Sequence, residues 1–314
     1  MHIPVMLNEV LKHLSPKDGE VYVDCTFGRG GYTKAMLDSA NVDVFSIDCD
    51  PSAKVFSETF KKDLKDSSKF HFLEGNFGNI EALLKSKGIK EVDAIVLDLG
   101  ISSMQVDESE RGFSFSKEAK LDMRMSQSGY SAYEFINESD EKTIADVIYK
   151  YGEEDKSFKI ASKIVKAREI APINTTIELA EIVRSVFYKK YSKTDFATKT
   201  FQAIRIFINN ELENLELVLE ASERLLTENG RLIVVSFHSL EDSIVKQFLK
   251  VRCQKAESVS RYIPDNVESE FIPSFSYLTR KAIKPSNEEV RSNIRSRSAK
   301  LRAAIRINSE VSHA

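Results

Sequence analysis

The chain has 314 residues, of which 42% are hydrophobic and 30% are charged, and its formal net charge is −3. This composition excludes wholesale disorder and fibrous repeats, and it leaves room for one large α/β domain or for a core with an inserted second domain. Because the molecule as a whole is not a polycation, any nucleic-acid site must be a local basic surface.

The three cysteines, Cys25, Cys49 and Cys253, show no CxxC spacing. An odd number without that spacing argues against a disulfide framework and against a cysteine-rich zinc site, so we predict no metal site and a reducing compartment. The first ten residues lack the basic and apolar regions of a secretory leader, and no later run is long and apolar enough to span a bilayer. We therefore expect a cytoplasmic protein with no membrane partner.

The first hundred residues alternate between strand-like and helix-like patterns. Strands are predicted at 20–26, 43–48, 69–74 and 93–99, with helices from about residue 32, from 51 to about 62, and from about 79 to 87. The first strand runs into the glycine turn Phe27-Gly28-Arg29-Gly30-Gly31. This alternation predicts an α/β fold with a parallel, doubly wound sheet covered by helices on both faces.

After Gly100 the pattern changes. The stretch 131–187 contains helical segments and no convincing strand, with Ser131 and Thr175 or Thr176 available as N-caps. A long helix is predicted from near Phe196 to a glycine stop at Asn229-Gly230, followed by a buried strand at 230–237 and a helix at 239–251. We interpret residues 106–205 as an inserted helical lobe between two parts of the core, 1–105 and 206–314.

The C-terminal part of the chain is less regular. The pattern weakens from 254 to 275, and from Arg280 onward basic residues dominate. We expect a charged tail or surface strip here, for which RNA contact and simple solvation both stay open.

The glycine turn and the acid that ends the second strand suit a nucleotide-like cofactor. Glycines let a ligand approach the backbone, and the start of the following helix offers free N–H groups. The spacing Gly28-x-Gly30-Gly31 is not the full GxGxxG that a pyrophosphate cofactor prefers, whereas Asp48 suits a free ribose diol. Adenosine without phosphate fits best, and a purely structural turn is the alternative.

Two further acids are predicted at the carboxyl ends of strands, where open α/β sheets bind ligands. For Asp24, a ligand contact and a role in closing the turn through backbone bonds both stay open. Asp98 ends an apolar strand just before a Gly-Ile-Ser-Ser loop, a position that favours a cleft over the core.

Eight blocks of residues, in order along nearly the whole chain, are typical of one family. They are HIPVM at 2–6, FGRGG at 27–31, DLGISS at 98–103, RGFSF at 111–115, LDMRM at 121–125, YGEE at 151–154, ATKTFQAIRI at 197–206 and SFHSLED at 236–242. In these blocks the chain resembles the bacterial small-subunit ribosomal RNA cytosine-N4 methyltransferases.

The resemblance implies a class I methyltransferase core with a Rossmann-like sheet, interrupted by an all-helical substrate lobe. It implies S-adenosyl-L-methionine as cofactor and, as substrate, a cytidine amine in the decoding region of small-subunit ribosomal RNA, expected within the assembled subunit. The cofactor contacts carry over onto Gly30, Gly31, Tyr32, Asp48 at the ribose, Phe77 against the adenine, Asp98 and Gln105. Histidine is usual in the family at position 32, so the tyrosine puts a side-chain contact there in question, but not a backbone contact.

Methyl transfer from a sulfonium to an amine depends on positioning and desolvation, and it needs no covalent residue. A ring-carbon cytosine methyltransferase would need a cysteine nucleophile, and we interpret all three cysteines as structural. Transfer to an adenine amine stays open. The acidic or polar residue followed by Pro-Pro-aromatic, found in many amine-directed nucleic-acid methyltransferases, is replaced here by Asp98-Leu99-Gly100-Ile101. We predict that Asp98 or a neighbouring carbonyl orients the amine.

Three residues are candidate RNA contacts. Lys199 and Arg205 lie six apart on a predicted helix and therefore on different faces, so we expect one to meet phosphate and the other to be structural. His238 either touches the target base or caps the helix that begins at Ser239.

Other functions are compatible with the same core. A small-molecule methyltransferase and an inactive RNA-binding factor are the main alternatives, and an NAD-dependent oxidoreductase fits less well because the glycine spacing is incomplete. A homodimer stays open, because the sequence does not fix the oligomeric state.

Overall fold

The computed structural model describes residues 4–188, 194–253 and 272–307. The chain divides into two compact units. Unit 1 comprises Met1–Cys49, Ala53–Gly100 and Leu212–Ala314, and unit 2 comprises Asp50–Ser52 and Ile101–Glu211. The domain limits predicted at residues 105 and 205 stay predictions. His2 and Ile3 of the first family block, and most of the interval 254–275, lie outside the described residues.

Unit 1 contains a seven-stranded sheet with the order β3-β2-β1-β4-β5-β7-β6. The strands are β1 Val21–Asp24, β2 Asp43–Asp48, β3 Phe70–Glu74, β4 Val92–Asp98, β5 Leu226–Ser236, β6 Phe275–Tyr277 and β7 Lys300–Arg306. Strands β1 to β5 pair in parallel, and β7 pairs antiparallel with both β5 and β6.

In the first hundred residues, helices alternate with the strands as the sequence predicts. The described ranges contain thirteen α-helices in all. They are α1 Leu7–Leu14, α2 Gly31–Ser39, α3 Pro51–Lys62, α4 Ile80–Lys85, α5 Ser103–Asp107, α6 Ala132–Glu138, α7 Glu141–Gly152, α8 Ser157–Arg168, α9 Thr176–Arg184, α10 Thr198–Ile208, α11 Glu211–Leu225, α12 Ser239–Cys253 and α13 Asn287–Ser292. None of these helices combines the length and the apolarity that a bilayer crossing requires.

The sheet has a hydrophobic core on each of its faces. Successive residues of a strand point to opposite faces, and on β4 Ile95 belongs to one buried cluster while Val96 belongs to the other. The neighbouring strand β5 repeats the alternation with Val234 and Ile233. A mainly parallel sheet that is buried on both faces is a doubly wound sheet, so the predicted fold class is confirmed.

Unit 2 is helical, with a core of its own built from apolar residues of α6 to α10, among them Phe135, Ile148 and Ile164. Ser131 and Thr175 start α6 and α9 with capping boxes, each side chain accepting from the backbone N–H three residues on. Both residues are N-caps that the sequence predicts.

The single long helix predicted from Phe196 to Asn229 is wrong. Helix α10 ends at Ile208, Asn210 adopts a left-handed φ of 49°, and α11 gives way to β5 at Leu226. The side chain of Asn209 donates to the Met123 carbonyl and accepts from the Met125 N–H, so bonds to a distant segment hold the chain at the point where α10 ends. Asn229, with a φ of 67°, lies inside β5.

The charged tail or strip predicted from Arg280 onward is wrong for residues 300–306, because these form the inner strand β7. Leu301, Ala303 and Ala304 are buried between β5 and β6. Arg306 is only 1% exposed, and its guanidinium donates to the carbonyls of Ser274 and Glu223. Antiparallel pairing with distant strands, invisible to a local pattern, places this basic segment inside the sheet.

Candidate active site

Unit 1 brings three acidic residues to the same edge of the sheet. Strand β1 pairs in parallel with both β2 and β4, so that Asp24, Asp48 and Asp98 end three neighbouring strands. The chain passes from β3, at one edge, to β4 on the far side of β1, which makes this a topological switch point. Ligands of open α/β sheets bind at such a point, beyond the carboxyl ends of the strands.

The glycine elbow after β1 is closed by the acid that ends β2. Gly28 and Gly30 have φ values of 51° and 66°, and the Gly28 N–H donates to Asp48 Oδ2 at 2.8 Å. A Cβ on Gly30 would lie 2.6 Å from the Phe60 ring, and one on Gly31 would lie 2.4 Å from Pro4. Close packing against these side chains therefore requires glycine at both positions, and no side chain caps the start of α2 beside them.

Asp24 supports this elbow from inside. Its Oδ2 accepts from the Thr33 hydroxyl at 2.7 Å, and its Oδ1 accepts from the Thr26 N–H at 3.1 Å. The residue has no exposed surface, and burial raises its pKa above the ordinary value. Of the two alternatives for Asp24, the structure contains the bonds that close the turn.

Asp98 carries an unsatisfied acceptor. The residue is partly exposed, but its Oδ1 atom is buried and has no hydrogen-bond partner within the described ranges. Burial raises the pKa of Asp98 well above its ordinary value, and the charges of Asp24 and Glu241 raise it further. A buried acceptor without a partner costs free energy in the fold, and such costs concentrate at functional sites.

Tyr32 and Phe77 belong to the helical segments that directly follow β1 and β3. The Tyr32 ring is buried in the first turn of α2, and its hydroxyl donates to the Val5 carbonyl, so the side chain anchors the N-terminal segment. Phe77 follows β3 in a short 3₁₀ turn and packs, partly buried, on the core of unit 1. The cofactor contacts predicted for both residues stay predictions.

The three candidate residues of unit 2 are each engaged within that unit. Gln105 accepts from the Ser102 N–H at 3.0 Å and donates to Asp50 at 2.9 Å. Lys199 Nζ donates to the Glu153 carbonyl at the end of α7. Arg205 binds the carboxylate of Glu211 through two bonds of 2.7 and 2.8 Å. Their contacts with cofactor or RNA stay predictions.

His238 is in the position of a helix cap. Its Nδ1 accepts from the Glu241 N–H at 3.4 Å, and its Nε2 lies 3.1 Å from Glu241 Oε1. Of the two alternatives from the sequence, the capping contact is present, and contact with a base stays a prediction.

A family model described as the MraW methylase family matches residues 1–307. The chain belongs to the MraW methylase family. Membership confirms the predicted class of enzyme, a methyltransferase with a Rossmann-like class I core that uses S-adenosyl-L-methionine as the methyl donor.

Similar proteins in this family cover the whole chain. A protein of Rickettsia bellii named ribosomal RNA small subunit methyltransferase H is 53% identical over 306 residues, which are 98% of this chain and 99% of the relative. A protein of the same name from Rickettsia prowazekii is 51% identical over 307 residues, 98% of each chain. The solved structure of an rRNA methylase from Streptococcus thermophilus has a TM-score of 0.45 and 10% identity, covering 98% of this chain and all of that one.

The strand edge of unit 1 fits the cofactor of the MraW methylase family. The first turn of α2, directly after the elbow, has no side-chain cap. Asp48 supplies a carboxylate beside the elbow, as a ribose diol requires. That these residues hold the cofactor's nucleoside stays a prediction.

Sequence reasoning missed a buried polar cluster of unit 2, which is built around Asp50. This carboxylate is 1% exposed and accepts from Arg111 Nη1, from Gln105 Nε2 and from the Ser52 N–H, each at 2.9 Å. Arg111 in turn donates to the carbonyls of Arg124 and Met125. Two blocks typical of the MraW methylase family, at 111–115 and 121–125, therefore meet through the guanidinium of Arg111, which is paired with the buried carboxylate of Asp50. The local pattern shows an Asp-Pro helix start and gives no sign of a partner 61 residues away.

Two of the three cysteines are poor nucleophiles in this member of the MraW methylase family. Burial raises the pKa of Cys25 well above its ordinary value and raises the pKa of Cys253 to about 11. Because the thiolate is the reactive form, neither residue is suited to attack a ring carbon. Cys49 is partly exposed at the end of β2.

Proposed function

We propose that the chain transfers a methyl group from S-adenosyl-L-methionine to the N4 amine of a cytidine in the decoding region of small-subunit ribosomal RNA. The small-subunit RNA is supported by the names of relatives that are 51–53% identical along the whole chain. The cytidine N4 position and the decoding region rest on the resemblance described above.

One observation carries the chemistry, namely the unpartnered Oδ1 atom of Asp98 at the carboxyl end of β4. An acceptor at this position can take a hydrogen bond from the exocyclic amine of a base. Such a bond would orient the amine nitrogen for transfer of the methyl group. Because this oxygen is already buried, water would compete little for the bond.

The reaction makes an N–C bond, breaks an S–C bond and releases one proton from the amine nitrogen. When bound, S-adenosyl-L-methionine supplies an electrophilic methyl group and a positive charge that favours the ionised form of a nearby carboxylate. Asp98, once ionised, orients the amine and accepts the released proton. The unreactive Cys25 and Cys253 agree with transfer to nitrogen, because attack on C5 would require a thiolate.

Three further parts of this proposal concern the surroundings of the reaction. We propose the assembled small ribosomal subunit as the substrate and the cytoplasm as the compartment. A homodimer stays a prediction.

Mass spectrometry of ribosomal RNA from a strain without the gene tests substrate and reaction together. We expect a single cytidine of the small-subunit RNA to lose a methyl group at N4, and the wild-type gene to restore it. Loss of a methyl group from an adenine, or an unchanged RNA together with methylation of a free nucleoside by the purified protein, would overturn the proposal.

A further inference from the structure

Helix α8 of unit 2 has a stripe of three lysines on its outer face. Its inner face contributes Ile160, Ala161 and Ile164 to the core of the unit. Lys159, Lys163 and Lys166 are exposed and follow the helical spacing i, i+4, i+7, so they point in nearly the same direction. We call these three residues the α8 lysine stripe.

The stripe lacks counter-charges in the part of the chain that the structure describes. No ion pair or hydrogen bond of the three ammonium groups occurs among these residues. Some other cations of unit 2 do have carboxylate partners there, as in the pairs Lys142–Asp146, Arg184–Asp195 and Arg205–Glu211. Two exposed acids flank the stripe, Asp155 four residues before Lys159 and Glu169 three residues after Lys166, and neither forms an ion pair with it in the described ranges.

We propose that the α8 lysine stripe binds the phosphate backbone of the substrate RNA. That the partner is RNA rests on the proposed function. That the stripe is the surface which binds it rests on the complementary charges of lysine and phosphate. From Lys159 to Lys166 the helix rises about 10 Å, which matches roughly three successive phosphates of one strand. Three mobile ammonium groups in a row bind such a backbone without reading its sequence, and so add affinity and register but not base choice.

The test compares two triple variants of the full-length protein. K159Q/K163Q/K166Q removes the stripe, and glutamine keeps a helix propensity close to that of lysine. K62Q/K65Q/K90Q removes the same charge from exposed lysines of unit 1 and serves as the matched control. Thermal unfolding and calorimetry with S-adenosyl-L-methionine check that both variants fold and bind cofactor like the wild type.

The measured quantity is affinity, as a function of salt, for protein-free small-subunit RNA and for small subunits from the deletion strain. We expect the stripe variant to bind both the RNA and the subunits about tenfold or more weakly. The slope of log affinity against log salt, which is negative, should become less steep by about two to three. The control should shift either value by much less. With subunits as substrate, KM should rise while kcat is retained, because backbone binding is the same in the ground and transition states.

Equal affinity and equal salt slope for wild type and stripe variant would overturn the inference. Weaker binding to subunits with unchanged binding to protein-free RNA would also overturn it, in favour of an acidic protein surface as the partner. Binding is read without methyl transfer, so a wild type that binds RNA but methylates no cytidine would refute the proposed function and leave the stripe's role standing.

Discussion

The backbone N–H of Asp98 donates a 2.7 Å hydrogen bond to the side-chain oxygen of Thr26. The N–H of Thr26 itself donates to buried Asp24. The loop that leads from β1 into the glycine elbow is thereby fixed to the end of β4, where the unpartnered carboxyl oxygen lies. One threonine therefore links the elbow, proposed to bind the cofactor, to the acid proposed to orient the amine.

Replacing Thr26 by valine should remove the hydrogen bond that links the loop after β1 to the end of β4. The Asp98 N–H would lose its acceptor, at a cost of about 1–3 kcal/mol in the free energy of unfolding. We expect a lower unfolding midpoint and a lower kcat, whereas Thr26→Ser, which keeps the oxygen, should restore both. A Thr26→Val enzyme with wild-type stability and turnover would show that the bond positions nothing.

The role of the elbow can be tested by comparing alanine substitutions at Gly30 and at Gly88, a glycine outside the elbow with a similar backbone conformation and open space around it. Gly30 and Gly88 have φ values of 66° and 75°, yet a Cβ on Gly88 meets nothing within 4 Å while one on Gly30 meets two aromatic rings. Both alanine substitutions carry the left-handed backbone cost of about 1–2 kcal/mol. Only Gly30→Ala should also weaken cofactor binding, by about tenfold or more, equal to about 1.4 kcal/mol. Calorimetry showing equal affinities for the two variants would contradict this.

Asp98→Asn should separate orientation of the amine from acceptance of its proton. The amide oxygen can still accept a hydrogen bond from the base, but the amide cannot take up a proton at neutral pH. We expect kcat on small subunits to fall about a hundredfold with unchanged cofactor affinity, and Asp98→Ala to fall further. Full turnover by Asp98→Asn with normal cofactor affinity would remove Asp98 from the mechanism.

The same substitution should change how stability depends on pH. Because burial raises the pKa of Asp98 in the folded protein, the folded state binds this proton more tightly than the unfolded state does. The associated stability is complete below the ordinary pKa of 3.8 and is lost as pH rises toward the raised value. Urea unfolding from pH 4 to pH 8 should therefore show Asp98→Asn gaining stability relative to the wild type. A constant difference across this range would contradict the raised pKa.

In unit 2, breaking the buried pair Arg111–Asp50 should lower the free energy of unfolding far more than breaking an exposed pair. Arg111→Ala leaves a carboxylate that is 1% exposed without its cation, which costs about 3–5 kcal/mol. Lys142→Ala removes one partner of the exposed pair with Asp146 and should leave the free energy of unfolding almost unchanged, because solvent screens exposed pairs. Urea denaturation compares the two, and similar losses for both would refute the buried role of Asp50.

Local patterns in the sequence were enough to predict one part of the fold. Runs such as 43–48 and 93–98 alternate with amphipathic segments, so the order of β1 to β4 and the acids that end these strands followed from periodicity and turn chemistry. The elbow was equally readable, because the φ values at Gly28 and Gly30 favour glycine. These residues by themselves indicated an adenosine without phosphate, and the family with its cofactor followed from the resemblance of eight blocks along the chain.

Which distant segments meet could be read only from the folded chain. Strand β7 is basic in sequence and becomes an inner strand because β5 and β6 supply its pairing partners. Asp50 becomes a buried hydrogen-bonding site because Arg111 folds onto it, and Asn209 ends α10 because Met123 and Met125 lie within its reach. Hydrogen bonds and ion pairs between residues far apart in sequence depend on the folded path of the chain, and no local periodicity carries that information.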